Sequence, residues 1–234
     1  MIDHRPLSAL PSANLGWLQA RHHFPFNGRP DPAHMPVKSL YVWNDDEFAA
    51  GHGFPLHPHR DVEIITYVRT GIVTHGDTLG NAFEIQAGDV QVMSAGSGLR
   101  HSEFNRGDTP LKIFQIWIAP NQLGLPPSYA MRRFPGRERS NRLTVLASGL
   151  PEDASSEALP LRADARLLAG RLEAGASMKY EVLDGRDLYL VPAVGAVLLN
   201  GVRVEEGDGV AVTGERIVEF EALADTELVV VELA

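Results

Sequence analysis

Two short pieces of the chain carry a residue pattern that asks for a chemical explanation: His57-Pro58-His59 and His101-Ser102-Glu103. Alternate side chains of a β-strand leave the same face, so each triplet is a fork whose two prongs enter one space. Facing strands that bring the forks together present three imidazoles and a carboxylate, a nitrogen-rich set suited to a divalent first-row transition metal. A lone histidine is more often a surface or hydrogen-bonded structural residue than a ligand. Two i, i+2 pairs of candidate donors tip that balance toward a metal. His52 and His75 lie nearby without an alternating partner and are read as structural. Glu63 shares strand parity with His57 and His59, and it competes with Glu103 as the carboxylate donor.

The chain between the forks reads as strand and turn. Val62-Glu63-Ile64-Ile65-Thr66-Tyr67-Val68 is rich in β-branched and aromatic residues, and the run ends at Gly71 before Ile72-Val73-Thr74. After Gly80-Asn81 come Phe83-Glu84-Ile85, the Gly88-Asp89 turn and Val90-Gln91-Val92-Met93. Gly96-Ser97-Gly98, just ahead of His101, reads as a tight bend that brings the backbone close to the site.

These residues resemble a known pattern. His57-x-His59, the following Glu63 and Gly71, then Gly88-Asp89 and Gly98-x-x-His101-x-x-x-Asn105, are similar to the two short motifs of the cupin superfamily. The longer string Gly53-Phe54-x-x-His57-Pro58-His59-Arg60, Gly88-Asp89-Val90-Gln91-x-Met93-Ser94-Ala95-Gly96 and His101-Ser102-Glu103 resembles the pirin family. The likeness extends to His22-His23-Phe24-x-Phe26 upstream and to Gln115-Ile116-Trp117-Ile118 and Pro127-Ser128-Tyr129 downstream. In that family the carboxylate ligand sits two residues after the last histidine, so the resemblance favours Glu103 over Glu63. It implies iron(II) as the metal, while nickel, manganese, cobalt, copper or zinc also suit such donors. It further implies quercetin 2,3-dioxygenase activity: a flavonol is cleaved by dioxygen with loss of carbon monoxide, and Glu103 serves as the base for the flavonol hydroxyl. A second role known for the family is a binding module in which the metal's oxidation state alters a surface that contacts a regulatory protein.

Composition narrows the alternatives. The chain has 234 residues and no cysteine, which removes disulfides, thiolate metal sites and cysteine nucleophiles together. Its 21 Lys and Arg stand against 30 Asp and Glu, a formal charge of −9 that repels a phosphate backbone, so no direct nucleic-acid binding is expected. The densest basic stretch, Met131-Arg132-Arg133-Phe134-Pro135-Gly136-Arg137-Glu138-Arg139, lies in a Pro/Gly-containing connector and suits a solvated loop or an acidic partner surface. No apolar run approaches the roughly 20 residues needed to span a bilayer. Met1-Ile2-Asp3-His4-Arg5-Pro6 lacks the basic start and apolar core of a secretory signal, so the cytoplasm is the expected compartment.

The remaining chain supplies the scaffold. Leu15 to Ala20 and Ser39 to Trp43 read as strands, with Asn44-Asp45-Asp46 turning the second. Phe24 and Phe26 either line the mouth of a barrel or staple its base. Leu111 to Ile118 is a further strand, and the connector that follows has room for a short helical turn around Tyr129-Ala130-Met131-Arg132. The second half repeats the first in outline: Tyr189 to Val197 matches the strand, glycine and strand of Tyr67 to Val73, and Glu206 to Val212 echoes the segment around Gly88-Asp89. Ile217 to Phe220 and Glu227 to Val231 supply the last strands. The expected fold is all-β, two jelly-roll barrels of cupin type, with residues 1–134 forming the metal-binding barrel and its connector and residues 135–234 the second. Counting back from Gly195 puts Glu181 and Leu183 where the first half has His57 and His59. All nine histidines lie at or before position 101, so the metal site is expected in the N-terminal barrel only.

Overall fold

Alternation of buried and exposed side chains along the strands decides which face of each sheet meets a core. It is cleanest in Ile217–Ala222 and Leu99–Asn105, which bury every second residue. The structure is a computed structural model that describes residues 1–26, 28, 31–134 and 140–234. Its strands are β1 (Ile2–Arg5), β2 (Ser12–Asn14), β3 (Leu18–His22), β4 (Leu40–Phe48), β5 (Gly53–His59), β6 (Glu63–Thr70), β7 (Ile72–Asp77) and β8 (Ala82–Gln86). β9 (Asp89–Ser94), β10 (Leu99–Asn105), β11 (Leu111–Ile118) and β12 (Ser128–Arg133) complete the first half. The second holds β13 (Thr144–Ser148), β14 (Leu159–Pro160), β15 (Ala165–Leu172), β16 (Ser177–Glu181), β17 (Asp187–Val194), β18 (Val197–Leu199), β19 (Val202–Val204), β20 (Gly209–Val212), β21 (Ile217–Ala222) and β22 (Thr226–Leu233). Among the described residues no helix is long and apolar enough to cross a membrane.

The chain divides into two units. The first is Pro11–Phe134 with Leu159–Ala163, and the second is Met1–Leu10, Pro135–Ala158 and Asp164–Ala234. In the first, one sheet runs β12-β9-β6-β11-β4-β3-β2 and the other β5-β10-β7-β8. In the second, β1-β20-β17-β22-β15-β13 is matched with β16-β21-β18-β19. The order β9-β6-β11-β4 is thus repeated as β20-β17-β22-β15, and β5-β10-β7-β8 as β16-β21-β18-β19. That is the topology of a duplicated barrel, as the internal repeat predicts.

Local differences from the sequence reading have physical causes. Asn44-Asp45-Asp46 does not turn the chain: β4 continues through it to Phe48, because these residues pair with Gln115, Phe114 and Ile113 of β11 and with β3 on the other side. Tyr129 to Arg132 forms no helical turn but an edge strand paired with Val90 to Met93 of β9. Residues 1–10, placed with the first barrel on sequence, group with the second unit, since Ile2 pairs with Val212 and Arg5 with Gly209 of β20. The expected junction after Phe134 adjoins residues 135–139, which lie outside the described residues, as does that part of the basic stretch; Arg132 and Arg133 are on β12.

Each unit has its own apolar core. In the first, Leu18, Phe48, Val68, Val73, Ile85, Leu111 and Ile113 pack in one cluster, and Val62, Ile64, Met93, Ala95 and Leu99 in another. In the second, one continuous cluster runs from Leu168 through Leu190, Val218 and Phe220 to Val230. The interruption of the first core by polar side chains marks the site.

Candidate metal centre

β5 is the edge strand of its sheet, where prolines are tolerated because no ladder donor is lost. Pro55 and Pro58 therefore fit there, and alternation turns His57 and His59 inward while Pro58 is exposed. β10 runs antiparallel between β5 and β7, with His101 opposite His57 on one side and Asp77 on the other, and with Glu103 opposite His75. A register shift between His101 and Glu103 on the β5 side puts Glu103 against Phe54. The close approach needs Gly53, because a Cβ there would run into the Glu103 carbonyl and the Phe104 backbone. Gly96 turns the chain ahead of β10 at φ 44, against the Leu125 carbonyl.

The three histidines of the two forks meet, while Glu103 is outside the set that all three form. The His57, His59 and His101 rings lie 4.8, 4.5 and 5.0 Å apart centroid to centroid, and donor nitrogens of all three fall within 4.8 Å of one another. His57 Nδ1 hydrogen-bonds the Pro55 carbonyl at 2.7 Å, which leaves Nε2 as the free donor. His101 is buried with neither ring nitrogen hydrogen-bonded. A buried imidazole with two unpartnered nitrogens is costly unless something else engages it, so the donors fit a metal. Burial first, then the neighbouring imidazoles, pushes His101 down to about 3 and His59 down to about 4; Asp77 opposes the first shift and Glu103 the second. Both rings are thereby held neutral, the form that ligates.

Glu103 is buried and joins His101 and His75 in a second set of donors within 4.8 Å. Its carboxylate is held from behind. One register row crosses the large sheet as His22, Asn44, Gln115, Thr66 and Gln91, on β3, β4, β11, β6 and β9. From this row Gln115 Nε2 donates to Glu103 Oε2 at 2.7 Å, Thr66 Oγ1 donates to Oε1 at 3.0 Å, and Gln91 Nε2 also donates to Oε1. Tyr129 Oη in turn donates to Gln91 Oε1 at 3.1 Å. The signal for this row was present as single polar residues inside apolar strands, Thr66, Gln91 and Gln115.

Glu63 is not in either donor set. Residues 60–62, with Asp61 at φ 51, separate β5 from β6, so the even spacing from His57 and His59 does not carry Glu63 to their face. Thr66 has the inward parity of β6; Glu63 has the other, and its Oε2 accepts from Ser94 Oγ at 2.7 Å and the Arg162 backbone N–H at 3.0 Å. His52 is exposed, bonded to the Ala50 carbonyl and stacked on Trp17, as a structural residue should be. His75 is different. It is buried, its Nε2 meets Asp77 Oδ2 at 3.1 Å, and its ring stacks on Tyr129 at 4.6 Å. Its alternating partner is Asp77, which a search for paired histidines and glutamates passes over.

The three histidines open onto a cavity of about 290 Å³ in the first unit. Leu15, Leu18, Ala20, Phe54 and Trp117 give it apolar walls, and His22, Asn44, Asp46 and Gln115 a polar patch. Phe26 lines it too, stacked on His22 and edge-on to Trp117, whereas Phe24 is buried and is not among the residues that line it. Burial first, then the charges of Asp45 and Glu103, pushes the Asp46 carboxyl well above the usual carboxylate range.

Among the described residues, the second barrel shows no such set. The β16 residues that turn inward are Met178 and Tyr180, opposite Phe220 and Val218, while Glu181 is exposed. Counting back from Gly195 reaches instead the exposed end of β16 at Glu181 and, at Leu183, the link of residues 182–186 that follows it. Among the described residues, both groups of metal-type donors belong to the first unit.

Known proteins resemble both halves of the chain. Residues 4–118 match the family model described as Pirin, and residues 145–233 the one described as Quercetinase C-terminal cupin domain. A pirin-like protein of Caulobacter vibrioides is 50% identical over 234 residues, the whole of both chains. A quercetin 2,3-dioxygenase of Escherichia coli strain K12 is 36% identical over all of this chain and 99% of its own. The crystal structure of the bacterial pirin YhhW from Escherichia coli in complex with nickel(II) superposes with a TM-score of 0.92 at 36% identity, covering all of this chain and 99% of that one. The two barrels are of cupin type.

Proposed function

The chain belongs to the pirin family, and from that premise we propose that it is a metal-dependent dioxygenase that cleaves a flavonol such as quercetin with dioxygen and releases carbon monoxide. The observation that carries this reading is the convergence of His57, His59 and His101 on an apolar-walled cavity beside a buried carboxylate. His57, His59, His101 and Glu103 would hold the metal, which we assign as iron(II); the same donors suit nickel, manganese, cobalt, copper or zinc. When bound, such an ion supplies a Lewis acid and a redox centre. The chain supplies the rest. Glu103 takes the flavonol 3-hydroxyl proton on a carboxylate oxygen, and Gln115, Gln91 and Thr66 fix the direction from which it does so. Leu18, Phe54 and Trp117 clamp the flat rings and exclude water from the reacting carbon atoms.

The test is protein loaded with metal without oxygen, mixed with quercetin and then exposed to air. Bleaching of the flavonol absorption with one carbon monoxide per quercetin consumed is the expected result. Metal-loaded protein that binds quercetin yet releases no carbon monoxide under air would overturn the reading.

A further inference from the structure

One polar side chain of the cavity has no work in the reaction just described. On β4, Asn44, Asp46 and Phe48 share a face, and the pairing puts Asp46 between Ala20 of β3 and Ile113 of β11. Neither neighbour has a side chain that can hydrogen-bond. Asp46 is 2% exposed, lines the cavity with the three histidines, and its Oδ1 has no hydrogen-bond partner. The other polar side chains of the same patch each have a hydrogen-bond partner. His22 Nδ1 and Asn44 Oδ1 lie 2.9 Å apart, and Gln115 Nε2 donates to Glu103 at 2.7 Å. A buried carboxyl oxygen left without a donor is costly to stability, and buried polar groups in folded proteins are as a rule partnered. The missing donor must enter with whatever fills the cavity.

We propose that Asp46 is a specificity-determining residue that accepts a hydrogen bond from a phenolic hydroxyl of the substrate other than the 3-hydroxyl assigned to Glu103. The inference rests on the flavonol reading and narrows it to ring-hydroxylated flavonols. A carboxyl oxygen accepts in either protonation state, so the assignment does not depend on the charge of Asp46. A site built to bond a hydroxyl discriminates against the analogue that lacks it, because the buried acceptor is then left bare. Quercetin has ring hydroxyls to offer and 3-hydroxyflavone has none, while both carry the 3-hydroxyl.

The experiment measures anaerobic binding of both compounds to nickel(II)-loaded wild type, Asp46→Ala and Asp46→Asn, with nickel content determined alongside. Asp46→Ala should weaken quercetin about tenfold or more, leave 3-hydroxyflavone unchanged and keep wild-type nickel. Asp46→Asn retains a carbonyl acceptor and should restore most of the quercetin affinity. Equal quercetin binding by Asp46→Ala and wild type overturns the inference, and so does a parallel loss of both flavonols, which marks a structural role. Wild type that binds no quercetin overturns the flavonol reading and this inference with it. Quercetin binding that depends on Asp46, with no carbon monoxide under air, supports the assignment of Asp46 while overturning the dioxygenase.

Discussion

His57, His59 and His101 each have one nitrogen for a metal, but they differ in what the rest of the ring touches. His57 is anchored to the Pro55 carbonyl and His59 is edge-on to Trp117 at 5.0 Å, whereas His101 is buried with no hydrogen bond at all. Replacing any of the three by alanine should remove most of the bound metal while circular dichroism still reports a folded β protein. His101→Ala should also leave the larger void. Glu103→Gln should lower metal occupancy, and Glu63→Gln should leave it at the wild-type level, because Glu63 faces Ser94 and Arg162 instead. Metal analysis of the five variants decides this, and a Glu63→Gln variant that loses metal refutes the assignment. At this scale the sequence was readable where two donors stood two apart. It was less so for His75, whose partner two residues on is an aspartate, and for Asp46, whose surroundings depend on register: only the pairing of β4 with β3 and β11 leaves it among apolar neighbours.

Strands carry these residues, and what a strand can do depends on its neighbours more than on its own composition. Asn44-Asp45-Asp46 has the residue types of a turn, yet two flanking ladders keep it extended, and Arg69 reaches over to bond Asp45 at 2.7 Å. Tyr129 to Arg132 was ambiguous for the converse reason, since a four-residue run has no period long enough to separate helix from strand until β9 offers an edge. Gly53 shows how tightly an element can be held. Gly53→Ala should cost about 1–3 kcal/mol through overpacking of β5 on β10, and it should lower metal affinity as well, because the displaced strand carries His57 and His59. Thermal melts and nickel titration check both effects; a variant with wild-type stability refutes the close approach. In the second unit, the turn at Pro151–Asp153 is tied to β15 by Arg166 Nε to Asp153 Oδ2 at 2.6 Å. Burial pushes the Asp153 carboxyl up, but the hydrogen bonds from Arg166 and Ser148 and the Arg166 charge outweigh it and hold the group below its ordinary value. A carboxyl lowered in the native state contributes stability that is present above its unfolded value of about 4 and lost as pH falls through the native one. Asp153→Asn should therefore melt lower at neutral pH and show a shallower loss below about pH 4 than wild type. Parallel pH profiles of the melting midpoint would exclude this role.

Across the whole molecule one topology is used twice with different contents. Where the first barrel turns His57, His59, His101 and Glu103 inward, the second turns Met178, Tyr180, Val218 and Phe220 into an apolar core. The duplication could be read from the repeated strand, glycine and strand rhythm, but the owner of the first strand could not, because pairing of β1 with β20 joins residues two hundred positions apart. That pairing is reinforced: His4 Nε2 meets Asp208 Oδ2 at 2.8 Å, the Leu7 backbone N–H donates to Asp208 Oδ1 at 2.7 Å, and the Arg5 guanidinium lies 5.4 Å from the centre of the Tyr189 ring. None of these residues belongs to the unit that carries the histidines. Deletion of residues 1–10 should therefore speed amide exchange in β20 and β17, which lose an edge partner and its cover, and should leave the protein binding one nickel(II) per chain. Exchange followed by mass spectrometry, with metal analysis on the same samples, separates the outcomes. Unchanged exchange in Gly209–Val212 would refute the structural role of β1, and a second nickel per wild-type chain would refute the assignment of the metal to one barrel.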